Sequence, residues 1–327
     1  MKQEAFERRY GELWERFEKA TGVLNSNDRK LRRKDENLSM WQTFDQTYRQ
    51  VCQHLALARA RRYSLELQQR LNRLALDGHR HLYAEKTPLL RVFLQFLVYE
   101  FPVTARRYWR QIAIASALFY LPGIGIAVAL QFQPDLIYHL MSPLQVADFE
   151  YMYNPERRVL GRERGSPDDM MMFGYYIYNN VSIGFQTYAG GLLFGLGTLF
   201  YVIFNGLYIG AVAGHLQRIG FGEPFWSFVS GHSAFELTAI VLFGGIGLAL
   251  GNRLVNPAGK RRWHALRDEA RDSLPVVYGG AVMLVFAAFV EAYWSSTTSI
   301  PLIGKYTVGV VLWLFTLMYF AFAGRRR

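Results

Sequence analysis

The stretch GHSAFELTAI, residues 231–240, sets His232 and Glu236 four positions apart at the head of an apolar run that continues to Leu250. Side chains four apart share one face of a helix, so an imidazole and a carboxylate meet there. A carboxylate at membrane depth is costly and turns away from lipid. Three chemistries suit such a pair. It can lock helices together through hydrogen bonds. It can relay protons or ions. It can supply half of a metal site, but a metal takes three or four ligands, and no cysteine and no HExxH pattern supplies the rest. No metal or cofactor is therefore expected.

Four further polar residues fall inside apolar stretches: Asn179, Asn180, Thr198 and Asn205. In hydrocarbon such groups need partners, and bridging two helices is one way to find them. They serve either as glue or, with His232 and Glu236, as the lining of a solute path. No catalytic set is visible. The sequence has no G-x-S-x-G, no P-loop and no strand–helix G-x-G-x-x-G, so the expectation is a protein that is not an enzyme.

These residues must be held by helices that cross a membrane. The chain has 327 residues, 51% of them hydrophobic and 16% aromatic. A mean hydropathy of +0.03 averages two unlike parts. Residues 1–110 are polar and charged, and apolar runs dominate from residue 111. A span needs roughly 20 mostly apolar residues. Ile112–Leu130, Leu192–Val212, Ala234–Leu250, Val276–Val290 and Val308–Phe322 qualify. Met170–Tyr188 is weaker, because Asn179, Asn180 and Gln186 interrupt it, and it crosses only where neighbours cover it. Six spans are expected.

Positive charge orients them. Residues 1–110 hold 22 Lys/Arg against 13 Asp/Glu, and the 252–273 segment and the C-terminus Arg325–Arg327 are also basic. Six spans put both termini and 252–273 in the cytoplasm and the 131–169 loop outside. Glu291 and Lys305 then flank the last outer loop and read as boundary residues whose side chains snorkel to the interface. Residues 1–20 contain no apolar stretch of the signal-peptide type, and a single cysteine, Cys52, excludes an internal disulfide. The Arg residues are spread among acids along helices, which argues against nucleic acid and for attraction to anionic membrane lipids.

In the polar part, Phe6, Tyr10, Leu13, Phe17 and Ala20 recur at helical spacing. So do Phe44, Tyr48, Val51, Leu55 and Ala58, then Leu67, Leu71 and Leu74 after a capping Ser64. Residues 1–86 read as a cytoplasmic helical bundle, with a charged loop at NSNDRKLRRKDEN. Residues 87–110 read as an interfacial amphipathic helix and linker, 111–323 as the transmembrane domain, and 324–327 as a basic tail. The fold class is all-α. Within the spans, Gly206, Gly210 and Gly214 fall at four-residue spacing, as do Gly191 and Gly195, and Gly247 and Gly251. Such strips let helices approach closely, within one chain or across a homodimer.

The motifs taken together resemble one family. NN-x4-F in YNNVSIGF, G-x3-G-x-G-T in GGLLFGLGTL, NG-x3-G in NGLYIG, and H-x3-E-L-x-A-I in HSAFELTAI followed by GGIGLALG are similar to the stage II sporulation protein M family, over residues 105–323. The residues at the motif positions are Asn179, Asn180, Phe185, Gly191, Gly195, Gly197, Thr198, Asn205, Gly206, Gly210, His232, Glu236, Leu237 and Ala239. The resemblance implies a non-catalytic protein of the bacterial inner membrane. In endospore formers it implies a scaffold that gathers peptidoglycan-remodelling enzymes. In other bacteria it implies association with a MoxR-type AAA ATPase. The added N-terminal region, absent from the short sporulation type, points to a cytoplasmic partner, and the 131–169 loop to a periplasmic docking surface. The alternative is a transporter or channel built on Asn179, Asn180, Asn205, His232 and Glu236.

Overall fold

A computed structural model describes residues 1–25, 44–83, 88–156, 168–297 and 299–325. The described residues form helices and no strands, so the fold is all-α. The chain divides into two compact units, Met1–Pro88 and Leu89–Arg327.

The first unit contains α1 (Gln3–Asn25), α2 (Phe44–Ala60) and α3 (Leu65–Tyr83). Its core is Phe6, Trp14, Phe17 and Ala20 from α1, Val51, Leu55 and Ala58 from α2, and Leu67, Leu71 and Leu74 from α3. Ser64 caps α3, accepting the Leu67 N–H at 3.4 Å. It also ties that end to α1, since Gln3 donates to the Ser64 hydroxyl at 2.8 Å and accepts the Ser64 N–H at 2.9 Å. Nearly all of the charged NSNDRKLRRKDEN stretch lies outside the described residues.

The second unit opens with α4 (Leu89–Gln95), a π turn (Phe96–Glu100) and α5 (Phe101–Arg107). The expected interfacial helix is thus partly drawn into the bundle. Leu89 and Leu90 are exposed, but Phe101 is buried beneath Gly279 among Tyr319 and Phe320. Then follow α6 (Trp109–Phe132), a 3-10 turn (Pro134–His139), α7 (Pro143–Tyr153), α8 (Asp168–Ala189), a second 3-10 turn (Gly190–Leu192), α9 (Leu196–Arg218), α10 (Gly222–Val229), α11 (Ser233–Val255), α12 (Arg262–Phe289), a π turn (Val290–Ser295) and α13 (Leu302–Phe322).

Among the described residues, five helices are long and apolar enough to cross a membrane: α6, α9, α11, α12 with its π turn, and α13. These match the five strongest apolar runs. The sixth expected span, α8, does not reach that apolarity, yet it runs antiparallel to α12 along its length. At one end Met172 and Tyr176 cluster with Ala288 and Ala292, and at the other the Tyr188 hydroxyl meets Ser273 Oγ at 3.3 Å. At about 1.5 Å per residue, its 22 residues are long enough to traverse the apolar layer. Its weaker apolarity is offset by burial of one face against α11 and α12.

Two expected boundaries shift. The run from Leu192 is broken by the 3-10 turn and by Phe194 and Gly195 at φ 55° and 86°, so the helix starts at Leu196. The 252–273 segment is mostly helical, leaving Asn256–Arg261 between α11 and α12. Much of the expected 131–169 loop is also folded. Ile137, Met141, Val146 and Tyr153 are buried against α9 and α10, and residues 157–167 lie outside the described part.

Helices α6 and α9 lie parallel, and their backbones touch. Gly206 sits on Phe119, Gly210 on Gly123 and Gly214 on Ala127. A Cβ on Gly214 would stand 2.6 Å from the Ala127 Cα, a separation no real methyl adopts. Gly191 packs on the Gly247 carbonyl, and Gly195 on Gly251. All seven strip glycines are therefore spent within this chain, and a homodimer would need another face.

Candidate functional site

His232 is the residue before α11, and the break between α10 and α11 that carries it is tightly packed. Gly231 lies against the Trp294 ring, and the Ser230 carbonyl against Gly309 of α13. The imidazole is 5% exposed, and the Phe228 ring meets it edge-on at 5.5 Å. One turn into α11, Glu236 brings Oε2 to 3.8 Å from His232 Nε2. The H-x3-E spacing thus places the two groups on one face.

The second part of the site comes from the π turn that follows α12. A π turn inserts one residue into the helical register and re-aims the side chains beyond it. Glu291 joins the pair, and one ligand atom from each of His232, Glu236 and Glu291 lies within 4.8 Å of the others. Ser295, one turn on, meets His232 Nδ1 through its hydroxyl at 3.0 Å. The Ser295 carbonyl accepts a hydrogen bond from Lys305 Nζ at 2.8 Å, and Lys305 is 1% exposed. The reading of Glu291 and Lys305 as snorkelling boundary residues is therefore corrected. Both are turned inward, because the π turn and the close α12–α13 connection leave them facing the bundle.

The other polar residues bond elsewhere. Asn179 is exposed and donates to Asn180 Oδ1 at 3.2 Å. Asn180 is buried, and its Nδ2 has no partner among the described residues. Thr198 donates to the Thr187 carbonyl at 2.7 Å, joining α9 to α8. Asn205 donates to Tyr201 of its own helix at 2.7 Å. No hydrogen bond among the described residues links these four to His232 or Glu236, so the six residues do not form one network.

His232 and Glu236 also line a cavity of about 720 Å³. Its walls come from α6, α7, α9, α10, α11 and α13 and are mostly apolar, with Tyr120, Tyr208, Ser233 and Trp313 as polar points. Trp313 donates to Ser233 Oγ at 3.1 Å, closing one side. A second His–carboxylate pair, His215 Nε2 with Glu150 Oε1 at 2.7 Å, pins α7 to α9 near the cavity.

Sequence reasoning missed Glu291, Ser295, Lys305 and the His215–Glu150 pair as members of sites. A usable signal was present in VEAYWS, where Glu291 and Ser295 repeat the four-residue spacing of His232 and Glu236 inside an apolar stretch.

The family model of the stage II sporulation protein M matches residues 113–296, more than half of the chain. The chain belongs to the stage II sporulation protein M family. His232, Glu236, Glu291 and Ser295 all fall within the segment shared with that family, and Lys305 lies beyond it. A separate model, a domain of unknown function (DUF8413), matches residues 4–84, which include α1, α2 and α3. The chain is similar to an uncharacterised protein of Methanocaldococcus jannaschii, 25% identical over 131 residues, which are 39% of this chain and 72% of that protein. No solved structure matches. Family and helices together make this a multi-pass membrane protein.

Proposed function

We propose that this family member is a non-catalytic scaffold of the inner, cytoplasmic membrane that assembles a cell-envelope complex. The observation that carries the reading is the division into two separately cored units. One is a membrane bundle, and the other is a helical unit matched by its own family model. A helical unit of this kind, joined to a membrane anchor, suits recruitment. Family resemblance supplies the partner classes: peptidoglycan-remodelling enzymes on one side of the membrane and a MoxR-type AAA ATPase on the other.

Charge supports an orientation with both termini in the cytoplasm. Arg106 bonds carbonyls at the end of α13, and Arg253 bonds Glu269 near the start of α12. Tyr108, beside α6, lies against that same Glu269. Arg106, Arg107, Arg110, Arg253, Arg262, Arg267 and Arg325 thus belong to one end of the bundle, as the positive-inside rule requires of the cytoplasmic end.

The test is cross-linking in cells followed by mass spectrometry, on the whole chain and on one lacking residues 1–86. The whole chain should capture envelope enzymes or an ATPase, and the truncated chain should lose the cytoplasmic ones. Self-cross-links alone would sink the reading.

The 720 Å³ cavity favours a second reading, passage or binding of a solute. Only His232 and Glu236 of the five residues expected on a path line it, which is why the scaffold stands first. Under the solute reading, Glu236→Gln folds normally and abolishes flux in proteoliposomes. Under the scaffold reading, the same variant keeps its cross-linking partners.

A further inference from the structure

The His232–Glu236 pair alone is too small a set for a metal, and the fold supplies what the pair lacks. We infer that His232, Glu236 and Glu291 bind one divalent first-row transition-metal ion at the wall of the large cavity. This goes beyond the scaffold reading and does not depend on it.

Three ligand atoms, one from the residue that precedes α11, one from α11 and one from the π turn after α12, converge within 4.8 Å of one another. Metal–nitrogen and metal–oxygen bonds of roughly 2.0–2.2 Å put the ligands of one ion about 3.4 Å apart. His232 Nε2 and Glu236 Oε2, at 3.8 Å, are within a small side-chain rotation of that spacing. One imidazole with two carboxylates, and no thiolate, is a donor set for Zn²⁺, Mn²⁺ or Fe²⁺. The nitrogen ligand argues against Mg²⁺ and Ca²⁺, which prefer oxygen throughout.

The imidazole is also braced as metal-bound histidines are. Its Nδ1 meets Ser295 Oγ at 3.0 Å. With Nδ1–H donated there, the Nε2 lone pair faces the carboxylates, and outer partners of this kind orient a ligand and raise its basicity. Lys305 holds the same turn in place through the Ser295 carbonyl. His232 and Glu236 face the cavity, so coordination positions left by the three side chains open toward it, where water or an oxygen of a bound molecule completes the shell.

The full-length protein in detergent is stripped with chelator, then titrated separately with Zn²⁺ and Mn²⁺. Bound metal is measured by mass spectrometry after desalting. One equivalent is expected in the wild type. His232→Ala, Glu236→Gln and Glu291→Gln should each lose it, and Ser295→Ala should weaken binding about 10–100-fold, the usual effect of an outer partner. Because His232 is buried and its variant can misfold, helicity of each variant is checked by circular dichroism. Cobalt substitution of the wild type reads the site independently, and an N/O-ligated Co²⁺ spectrum is expected. The inference is overturned if the wild type retains no ion, if Glu291→Gln binds as tightly as the wild type, or if Co²⁺ gives only the spectrum of the free aqueous ion.

Discussion

Arg106 closes the end of the last helix: its guanidinium donates to the Phe320 carbonyl at 2.9 Å and to the Ala323 carbonyl at 2.6 Å. The final carbonyls of a helix have no partner within it, and here a side chain 214 and 217 residues earlier supplies one. A hydrogen bond to a charged group contributes about 1.5–3 kcal/mol. Arg106→Ala should lower the unfolding free energy in detergent by that order, seen as a lower thermal midpoint, and free the C-terminus to protease. Arg106→Lys, with one compact donor group in place of a fork, should recover only part of the loss.

The α6–α9 contact gives a paired test. Gly210→Ala pushes a methyl into the Gly123 backbone, 2.6 Å from its Cα, and overpacking costs about 1–3 kcal/mol. Gly11→Ala, in α1, meets no atom within 4 Å and should stabilise the first unit by roughly 0.5–1 kcal/mol, the helix preference of Ala over Gly. Equal effects from the two variants would refute the backbone contact. Unfolding curves of the two variants decide it.

Thr198 and Asn205 look alike in sequence and differ in partner. Thr198 bridges to α8, while Asn205 bonds within α9. Thr198→Val should cost about 0.6 kcal/mol and at most about 1.7, the measured span for hydrogen bonds between membrane helices. Asn205→Leu should cost less. The reverse order, read by steric-trap or denaturant unfolding, would contradict the assignment.

In the first unit the buried His54 accepts the Trp14 indole N–H on Nδ1 at 3.1 Å. Burial lowers the pKa of His54, so the folded unit favours the neutral ring. Above the unfolded value of about 6.5 both states are neutral and stability is complete. As pH falls below it, the unfolded chain takes up the proton first and stability is lost. The unfolding midpoint of this unit should drop between pH 7.5 and pH 5.5. His54→Gln, which can still accept from Trp14 but does not titrate, should flatten that drop. A wild type insensitive to pH over this range would exclude the mechanism.

The five apolar spans were legible because a membrane crossing is a compositional demand that any 20-residue window reveals. The helical periodicity behind α1, α2 and α3 was legible too, although Trp14 escaped. The 4,3,4,3 pattern ran through Leu13, which is only partly buried, while Trp14 fills the core. The glycine strips named the contacting faces but not their partner, because small-residue spacing is the same within a chain and between chains. The site was half legible. H-x3-E follows from helix geometry, whereas Glu291 joins it only through a π turn, and no local preference in VEAYWS marks that extra residue. Lys305 was misplaced for the same reason: a basic residue near a span end reads as a lipid anchor until the neighbouring turn is known to close over it.

The union of α6 with α9 has a mechanical consequence for the cavity they help to line. With glycine backbones in contact and no side chains between them, the two helices have nothing to reorient and form one stiff slab. The α11 wall, buried along most of its length, is stiff as well. In α13 only Lys305, Gly309 and Thr316 are buried. A molecule seated in the cavity meets Gly123, Gly206 and Gly210 on its α6–α9 side, a surface with no side chain to turn aside, so the fit there is set by backbone alone.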